Sequence, residues 1–138
     1  MVKARGFTLV ELLIVVIILG ILAAIVVPQF TEASSDAQAN SLTSNLRVIR
    51  GQIELYKIQH NGNYPSPVGS FVTLMTTKTN PDGSAGGTLG PYLISMPKNP
   101  FTSTSDVTTD PLGPGKAWYF DPTTGTFKAN DSAAHNAY

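Results

Sequence analysis

The chain has 138 residues, with nine cationic and nine acidic side chains and no cysteine. This length allows one small domain beside any membrane segment. The balanced charge provides no basic face for nucleic acid, so no nucleic-acid partner is expected. The lack of cysteine excludes disulfides and thiolate metal sites. The function therefore has to be inferred from the residue pattern.

The first 27 residues are basic and then strongly apolar. Lys3 and Arg5 precede Gly6, and the apolar segment extends from Phe7 to Val27. A helix over this segment would be about 31 Å long, which matches a hydrocarbon core of roughly 30 Å. Cations before the segment place the amino terminus in the cytoplasm. We therefore predict a single-pass protein of the inner (cytoplasmic) membrane, with its head periplasmic or extracellular.

Glu11 is the one charged residue inside this segment. A charge at the bilayer centre costs roughly 2.5–3.5 kcal/mol, and some cost persists nearer the edge. Residues 7–27 contain no Lys, Arg or His, so the same helix offers Glu11 no cation. Two opposite charges that lose water together cost less than either one alone. We therefore predict that the partner of Glu11 comes from another chain or from a newly made amino terminus.

The sequence at this junction, GFTLVELLIVVIILGILAAIVVP, resembles the type IV prepilin signal. The resemblance implies that a prepilin peptidase cleaves after Gly6 and that the new amino group of Phe7 is methylated. It implies that Glu11 neutralises the terminal amine of a neighbouring subunit as a filament grows. It further implies other copies of the chain in a helical filament, minor pilins or pseudopilins, an assembly ATPase and a platform protein as partners.

Two other interpretations of the segment compete with this one. A common signal peptide cut near Ala23 and Ala24 fits the small residues there, but it leaves Glu11 inside the apolar region. A plain signal anchor, with Glu11 tolerated near the interface, is allowed by its energetics. That second interpretation leaves the Gly6–Phe7 junction unexplained. The prepilin interpretation accounts for both features and is preferred.

Beyond the apolar segment, residues 29–60 are predicted to extend the helix as an amphipathic rod. Pro28 lies between the two parts and is expected to kink the helix. Apolar residues recur in the extension at spacings of four and three, as expected for one face of a helix. This stripe is formed by Leu42, Leu46, Ile49, Ile53 and Tyr56. We expect it to pack against the head.

The head is predicted to begin at residue 61, where the turn sequence NGNYP ends the long helix. A short helix is expected over residues 68–78. Residues 80–90 and 102–115 are rich in turn formers and are predicted to be loops, and the polar tail after residue 129 is predicted to be frayed.

Two further segments of the head have sequence patterns that predict their structure. The apolar segment of residues 90–101 is bracketed by prolines and is predicted to be extended. It resembles the loop after the second helix in major pseudopilins of type II secretion systems. Residues 117–120 and 126–129 are predicted to form an antiparallel β-hairpin, because Pro122 and Gly125 lie at favourable turn positions.

These elements predict an α+β fold in which a long N-terminal helix packs against a small head with a short helix and a C-terminal hairpin. The same lollipop-like arrangement is what the prepilin resemblance implies. The predicted boundaries are a leader at 1–6, a transmembrane and filament-core helix at 7–28, an amphipathic extension at 29–60 and a globular head at 61–138.

The head shows no constellation of a nucleophile and a base, so the chain is predicted not to be an enzyme. His60 and His135 are far apart in sequence and are predicted to be exposed. No cofactor is expected, with calcium as the one candidate ion. Asp106, Asp110 and Asp121 lie in loops and supply the oxygen ligands that calcium prefers. Major pseudopilins use a calcium-bound loop in this region, whereas the alternative is that these carboxylates cap turns.

Two functions of a filament subunit remain open from these residues. One is a type II secretion pseudopilin that acts in the export of folded proteins, and the other is a surface type IV pilin for adhesion, motility or DNA uptake. The absence of cysteine and the segment GPYLISMPKNP favour the pseudopilin. A membrane-anchored enzyme or binding module would need a pocket constellation that the sequence does not show.

Overall fold

The computed structural model describes residues 6–111 and 116–138. The chain divides into two compact units, one within residues 1–37 and the other within residues 38–138. Lys3 and Arg5, on which the predicted membrane orientation rests, lie outside the described residues. So do residues 112–115 of the loop predicted at 102–115.

The first helix, α1, extends from Leu9 to Gln59 and joins the apolar segment to the amphipathic extension. Leucine, isoleucine and valine dominate its first half, and a helix of such residues is stable where water is excluded because its backbone groups pair internally. Pro28 lies inside α1 and has no amide proton to donate to the preceding turn. Helical structure nevertheless continues past it. The predicted long helix is confirmed, whereas a kink at Pro28 stays a prediction.

The first half of α1 presents its apolar side chains on all sides. Every leucine, isoleucine and valine from Leu9 to Val27 is at least 50% exposed. By length and composition, this is the one helix among residues 6–111 and 116–138 that qualifies as a membrane span. A helix that is apolar around its circumference is typical of a membrane or a protein core.

The second half of α1 has one buried face. The five residues of the predicted apolar stripe are all at most 2% exposed. They form one core with the side chains of the head, among them Phe71, Met75, Trp118, Phe120 and Phe127. The predicted stripe is therefore confirmed, and it anchors the head to this helix.

The head contains a sheet of three short strands, β1 (Val107–Thr108), β2 (Trp118–Phe120) and β3 (Phe127–Ala129). The strands β2 and β3 are antiparallel, with Trp118 opposite Ala129 and Phe120 opposite Phe127. This confirms the predicted hairpin. Trp118 and Phe120 are buried and Tyr119 is not, as alternation along a strand requires.

The strand β1 was not expected, because residues 102–115 were predicted to form a loop. It lies parallel to β2, with Val107 beside Trp118. Two residues are too few to produce a periodic signal, and β1 exists because the open edge of β2 supplies its hydrogen-bond partners. The loop prediction is wrong for these two residues.

The short helix of the head is shorter than predicted. A 3₁₀ turn covers Val68–Ser70, and the helix α2 covers Phe71–Thr76. The hydroxyls of Thr76 and Thr77 donate to backbone carbonyls one turn earlier, both at 2.7 Å. Such back-bonding by β-branched threonine weakens a helix. Thr77 is extended and ends α2, so the helix does not reach residue 78.

The tail is packed rather than frayed, which corrects the prediction. It ends in a 3₁₀ turn over His135–Ala137. The buried Asn99 donates to the carboxylate of Asp131 at 2.8 Å, and Asn136 donates to the Ala129 carbonyl at 3.2 Å. These two contacts join residues that are 32 and seven positions apart in the chain. The polar composition of the tail therefore could not predict that the tail is packed.

The buried stripe gives a direct test of the fold. We expect Leu46→Ala to lower the free energy of unfolding of the full chain by about 2–5 kcal/mol, because it opens a cavity in the core. Val48→Ala on the same helix is the matched control, since Val48 is half exposed, and it should change stability by less than about 0.5 kcal/mol. Chemical denaturation monitored by circular dichroism measures both. Equal effects of the two variants would contradict this packing.

Candidate functional site

The predicted cleavage site lies just before the first turn of α1. Gly6, Phe7 and Thr8 are not helical, and both Gly6 and Phe7 are exposed. A Cβ placed on Gly6 would meet no atom within 4 Å, so no neighbour among the described residues covers this backbone. Exposed, irregular backbone is the usual substrate of a peptidase. The geometry is therefore compatible with cleavage between Gly6 and Phe7.

Glu11 takes part in a capping box with Thr8. The backbone amide and the hydroxyl of Thr8 both donate to Oε2 of Glu11, at 2.8 and 2.7 Å. The Glu11 amide donates in return to the Thr8 hydroxyl at 3.3 Å. This reciprocal arrangement satisfies amides that a helix start leaves without partners. The sequence Thr-x-x-Glu is its signature, although no cap was predicted at this position.

The capping box gives Glu11 a hydrogen-bond partner in its own segment, which the prediction did not include. Its partner there is neutral, however, and no cation contacts it among residues 6–111 and 116–138. Both Thr8 donors bind the same oxygen, Oε2. The other oxygen, Oε1, accepts no hydrogen bond from the described part of the chain. Thr8 thus orients the carboxylate and leaves one oxygen available while the negative charge remains uncompensated.

Comparison with known proteins places the chain in a family. The prokaryotic N-terminal methylation motif matches residues 1–27. Type II secretion system core protein G of Pseudomonas aeruginosa is 32% identical over 119 residues, which are 86% of this chain and 80% of the relative. The chain belongs to the type II secretion system core protein G family. The Klebsiella pneumoniae member is 30% identical over 101 residues, covering 73% of this chain and 71% of the relative.

Another protein of the same name, from Vibrio cholerae, is 34% identical over 99 residues, or 72% of this chain and 66% of the relative. A comparison with solved structures finds no match. The chain is thus a pilin-like filament subunit of the pseudopilin type with an α+β architecture, as the resemblance implied. Its relatives are structural pseudopilins, which is consistent with the prediction that the chain is not an enzyme.

The three candidate calcium ligands make separate contacts. The Asp121 carboxylate accepts from the Thr123 amide and the Thr124 hydroxyl, both at 2.8 Å. Asp106 accepts from the Ala117 amide at 3.4 Å, and Asp110 uses its backbone carbonyl to accept from an asparagine of the tail. No three His, Asp or Glu side chains of the described chain are grouped to hold a metal. Calcium binding at these residues stays a prediction, and the local contacts of Asp121 match the turn-capping alternative.

The two histidines are not exposed, so that prediction is wrong. His60 is buried, with Nδ1 2.8 Å from the Tyr56 carbonyl and Nε2 2.9 Å from the Thr79 hydroxyl. A carbonyl only accepts, so Nδ1 carries a proton. His135 is partly buried between Asp131 and the ring of Phe101. Residues that are distant in sequence, Thr79 for His60 and Phe101 for His135, contact the two rings. The positions of the histidines in the sequence could not predict this burial.

The hairpin turn carries a pH-dependent contribution to stability. The donors of Thr123 and Thr124 lower the pKa of Asp121 in the folded state. A lowered pKa means that this contribution is present above the ordinary pKa of aspartate and is lost as the pH falls through the lowered value. We therefore expect Asp121→Ala to lower the thermal midpoint at about pH 7 and to have much less effect at about pH 2.

Thermal unfolding at the two pH values measures this difference. Asp110→Ala is the control, because the Asp110 carboxylate forms no hydrogen bond to the described residues. A decrease in the midpoint for Asp121→Ala that is equally large at both pH values would contradict the role of the ionised carboxylate.

Proposed function

We propose that this chain is the filament-forming pseudopilin of a type II secretion system that exports folded proteins, and that Glu11 pairs with the methylated amino terminus of a neighbouring copy during assembly. The observation that carries the proposal is the exposure of α1. Its leucine, isoleucine and valine side chains from Leu9 to Val27 are at least half exposed, and one oriented carboxylate lies at the start of the helix.

The exposed apolar residues need a surrounding other than water. Removing apolar surface from water is worth roughly 25 cal/mol per Å², so a segment of this length is stable only in lipid or against other apolar helices. A single copy satisfies this requirement in the membrane. When a subunit leaves the membrane, helices of other copies are the surface that can replace lipid. Self-assembly through α1 follows from this requirement.

The carboxylate of Glu11 sets the register of that assembly. Cleavage after Gly6 creates an amine at Phe7, one residue before the threonine that caps the helix. Thr8 occupies Oε2, so we assign Oε1 to the amine of the neighbouring copy. A charge that is moved among apolar helices without a partner is strongly unfavourable, whereas a hydrogen-bonded pair is tolerated. An added subunit is therefore stable only where its Glu11 meets an amine.

The remaining assignments follow from this scheme. Residues 1–6 are the leader that the prepilin peptidase removes, 7–28 anchor the chain in the inner membrane, 29–60 extend the helix and 61–138 form the head. The amino terminus is cytoplasmic and the head periplasmic. Bending at Pro28 accommodates the packing of the helix in the filament. Minor pseudopilins, an assembly ATPase and a platform protein complete the machinery.

Processing can be tested by mass spectrometry of the membrane fraction and of filaments sheared from the cell surface. We expect a peptide that begins at methylated Phe7, found with the membranes and absent from the sheared material. The same peptide in sheared filaments would indicate a surface type IV pilin instead. A chain that retains residues 1–6, or one cut beyond Ala24, would contradict the prepilin processing itself.

The pairing of Glu11 can be separated from its capping role. Glu11→Gln retains an oxygen that accepts from Thr8 but removes the charge. We expect filament yield, measured by cross-linking in cells, to fall at least about tenfold, since loss of one partner of a buried ion pair costs about 3–5 kcal/mol. Membrane insertion should be unchanged. Glu54→Gln, on the exposed side of the same helix, is the control. Normal assembly of Glu11→Gln would refute the pairing.

A further inference from the structure

The head contains a cleft of about 320 Å³ beside the end of α1. Its walls come from α1, from the turn after it, from the loop at residues 80–90 and from the turn of the β2–β3 hairpin. The lining includes Tyr56, His60, Asn63, Tyr64, Asp82 and Pro122. This volume falls at the lower end of the range for small-molecule sites, roughly 300–1,000 Å³. The cleft is separate from the assembly residues at the start of α1.

Tyr56 lines this cleft, and its hydroxyl is available there as a hydrogen-bond donor. The residue is only 2% exposed, and its ring stacks on His60 with 3.6 Å between centroids. Its hydroxyl forms no hydrogen bond to the described residues. No fully buried side-chain polar atom of the described chain lacks a partner, so the small exposed part of Tyr56 lies at this hydroxyl. Burial also raises the pKa of the phenol, which keeps its proton available for donation.

Acceptors lie on the same cleft. Oδ1 of Asp82 accepts from the amide and the hydroxyl of Ser84, at 2.9 and 2.7 Å, and Oδ2 accepts from none of the described residues. The Ser84 donors lower the pKa of Asp82, so the carboxylate is ionised near neutral pH. Asn63 donates through its amide nitrogen to the His60 carbonyl at 3.0 Å, which leaves its side-chain oxygen free to accept.

The donor and the acceptors of the cleft together indicate which class of ligand it can bind. An anion would be repelled by Asp82. A simple cation would use only oxygen acceptors and would leave the donor capacity of the Tyr56 hydroxyl unused. A hydroxyl group both donates and accepts, so it complements a phenol donor beside carboxylate and amide acceptors. Pro81 and Pro122 add apolar surfaces against which the C–H face of a sugar ring can pack.

The geometry points to a binding site for a neutral saccharide unit in this cleft, with Tyr56 as the hydrogen-bond donor and Asp82 as the acceptor. The site depends on the head alone and not on the pairing of Glu11. If the chain assembles as proposed above, each subunit of the filament repeats the cleft. Weak binding at single sites would then add up on a polymeric glycan through multivalency.

Saturation-transfer NMR on the full chain, held in a zwitterionic detergent without a sugar head group, tests the site. The probes are cellotriose, maltotriose and chitotriose as neutral saccharides, spermidine as a cation and inorganic phosphate as an anion. We expect transfer to at least one saccharide and none to phosphate. Absence of transfer to all three saccharides would overturn the inference. Spermidine binding that competes with the saccharide would replace it with a cation site.

Two variants locate the binding. Tyr56→Phe removes only the hydroxyl, and Asp82→Asn removes the charge while keeping an oxygen for Ser84. Each should reduce the saccharide signal about fivefold or more, because Tyr56→Phe deletes the donor and Asp82→Asn replaces the charged acceptor Oδ2 with a neutral donor. Tyr119→Phe, on β2 and outside the cleft, is the matched control and should bind as the unmodified chain does. Circular dichroism verifies that the variants are folded. Unchanged binding by either folded cleft variant would refute the assignment.

Discussion

The apolar surface of α1 is the constraint on which the rest of this protein depends. Side chains from Leu9 to Val27 are exposed around the whole circumference of the helix. The hydrophobic effect makes that surface unstable in water, and a bilayer or a bundle of like helices removes the penalty. The same surface therefore accounts for two states of the protein, a subunit stored in the membrane and a subunit built into a filament.

Glu11 is the one charged residue in this otherwise apolar segment, and in the proposed pairing it gives the assembly a preferred arrangement. Apolar helices can slide past one another at little cost, whereas a charge among them is stable only at one kind of position. The capping box with Thr8 orients the carboxylate before any neighbour arrives. In the proposed pairing, this helix-start motif prepares the contact between subunits and links helix formation to assembly.

The second half of α1, in contrast, is buried on one face only. Its stripe from Leu42 to Tyr56 is covered by α2 and the sheet, so the helix and the head share one core. The end of this stripe also forms a wall of the cleft, where Tyr56 and His60 stack. Burial of these rings supports the fold and at the same time directs the Tyr56 hydroxyl toward solvent. Tyr56 thus belongs both to the core and to the lining of the cleft.

Local signals in the sequence determined α1, its buried stripe, the hairpin and the processing motif, because each depends on residues within a few positions of one another. Even the capping box was present as Thr-x-x-Glu, although its meaning became clear only from the contacts. The tertiary structure decided the rest. The strand β1 needs the edge of β2, His60 needs a hydroxyl 19 residues away, and the tail needs Asn99. Asp121 and Asp106 likewise have separate partners in the fold. Pairings over such distances depend on how the whole head closes, and no short pattern encodes them.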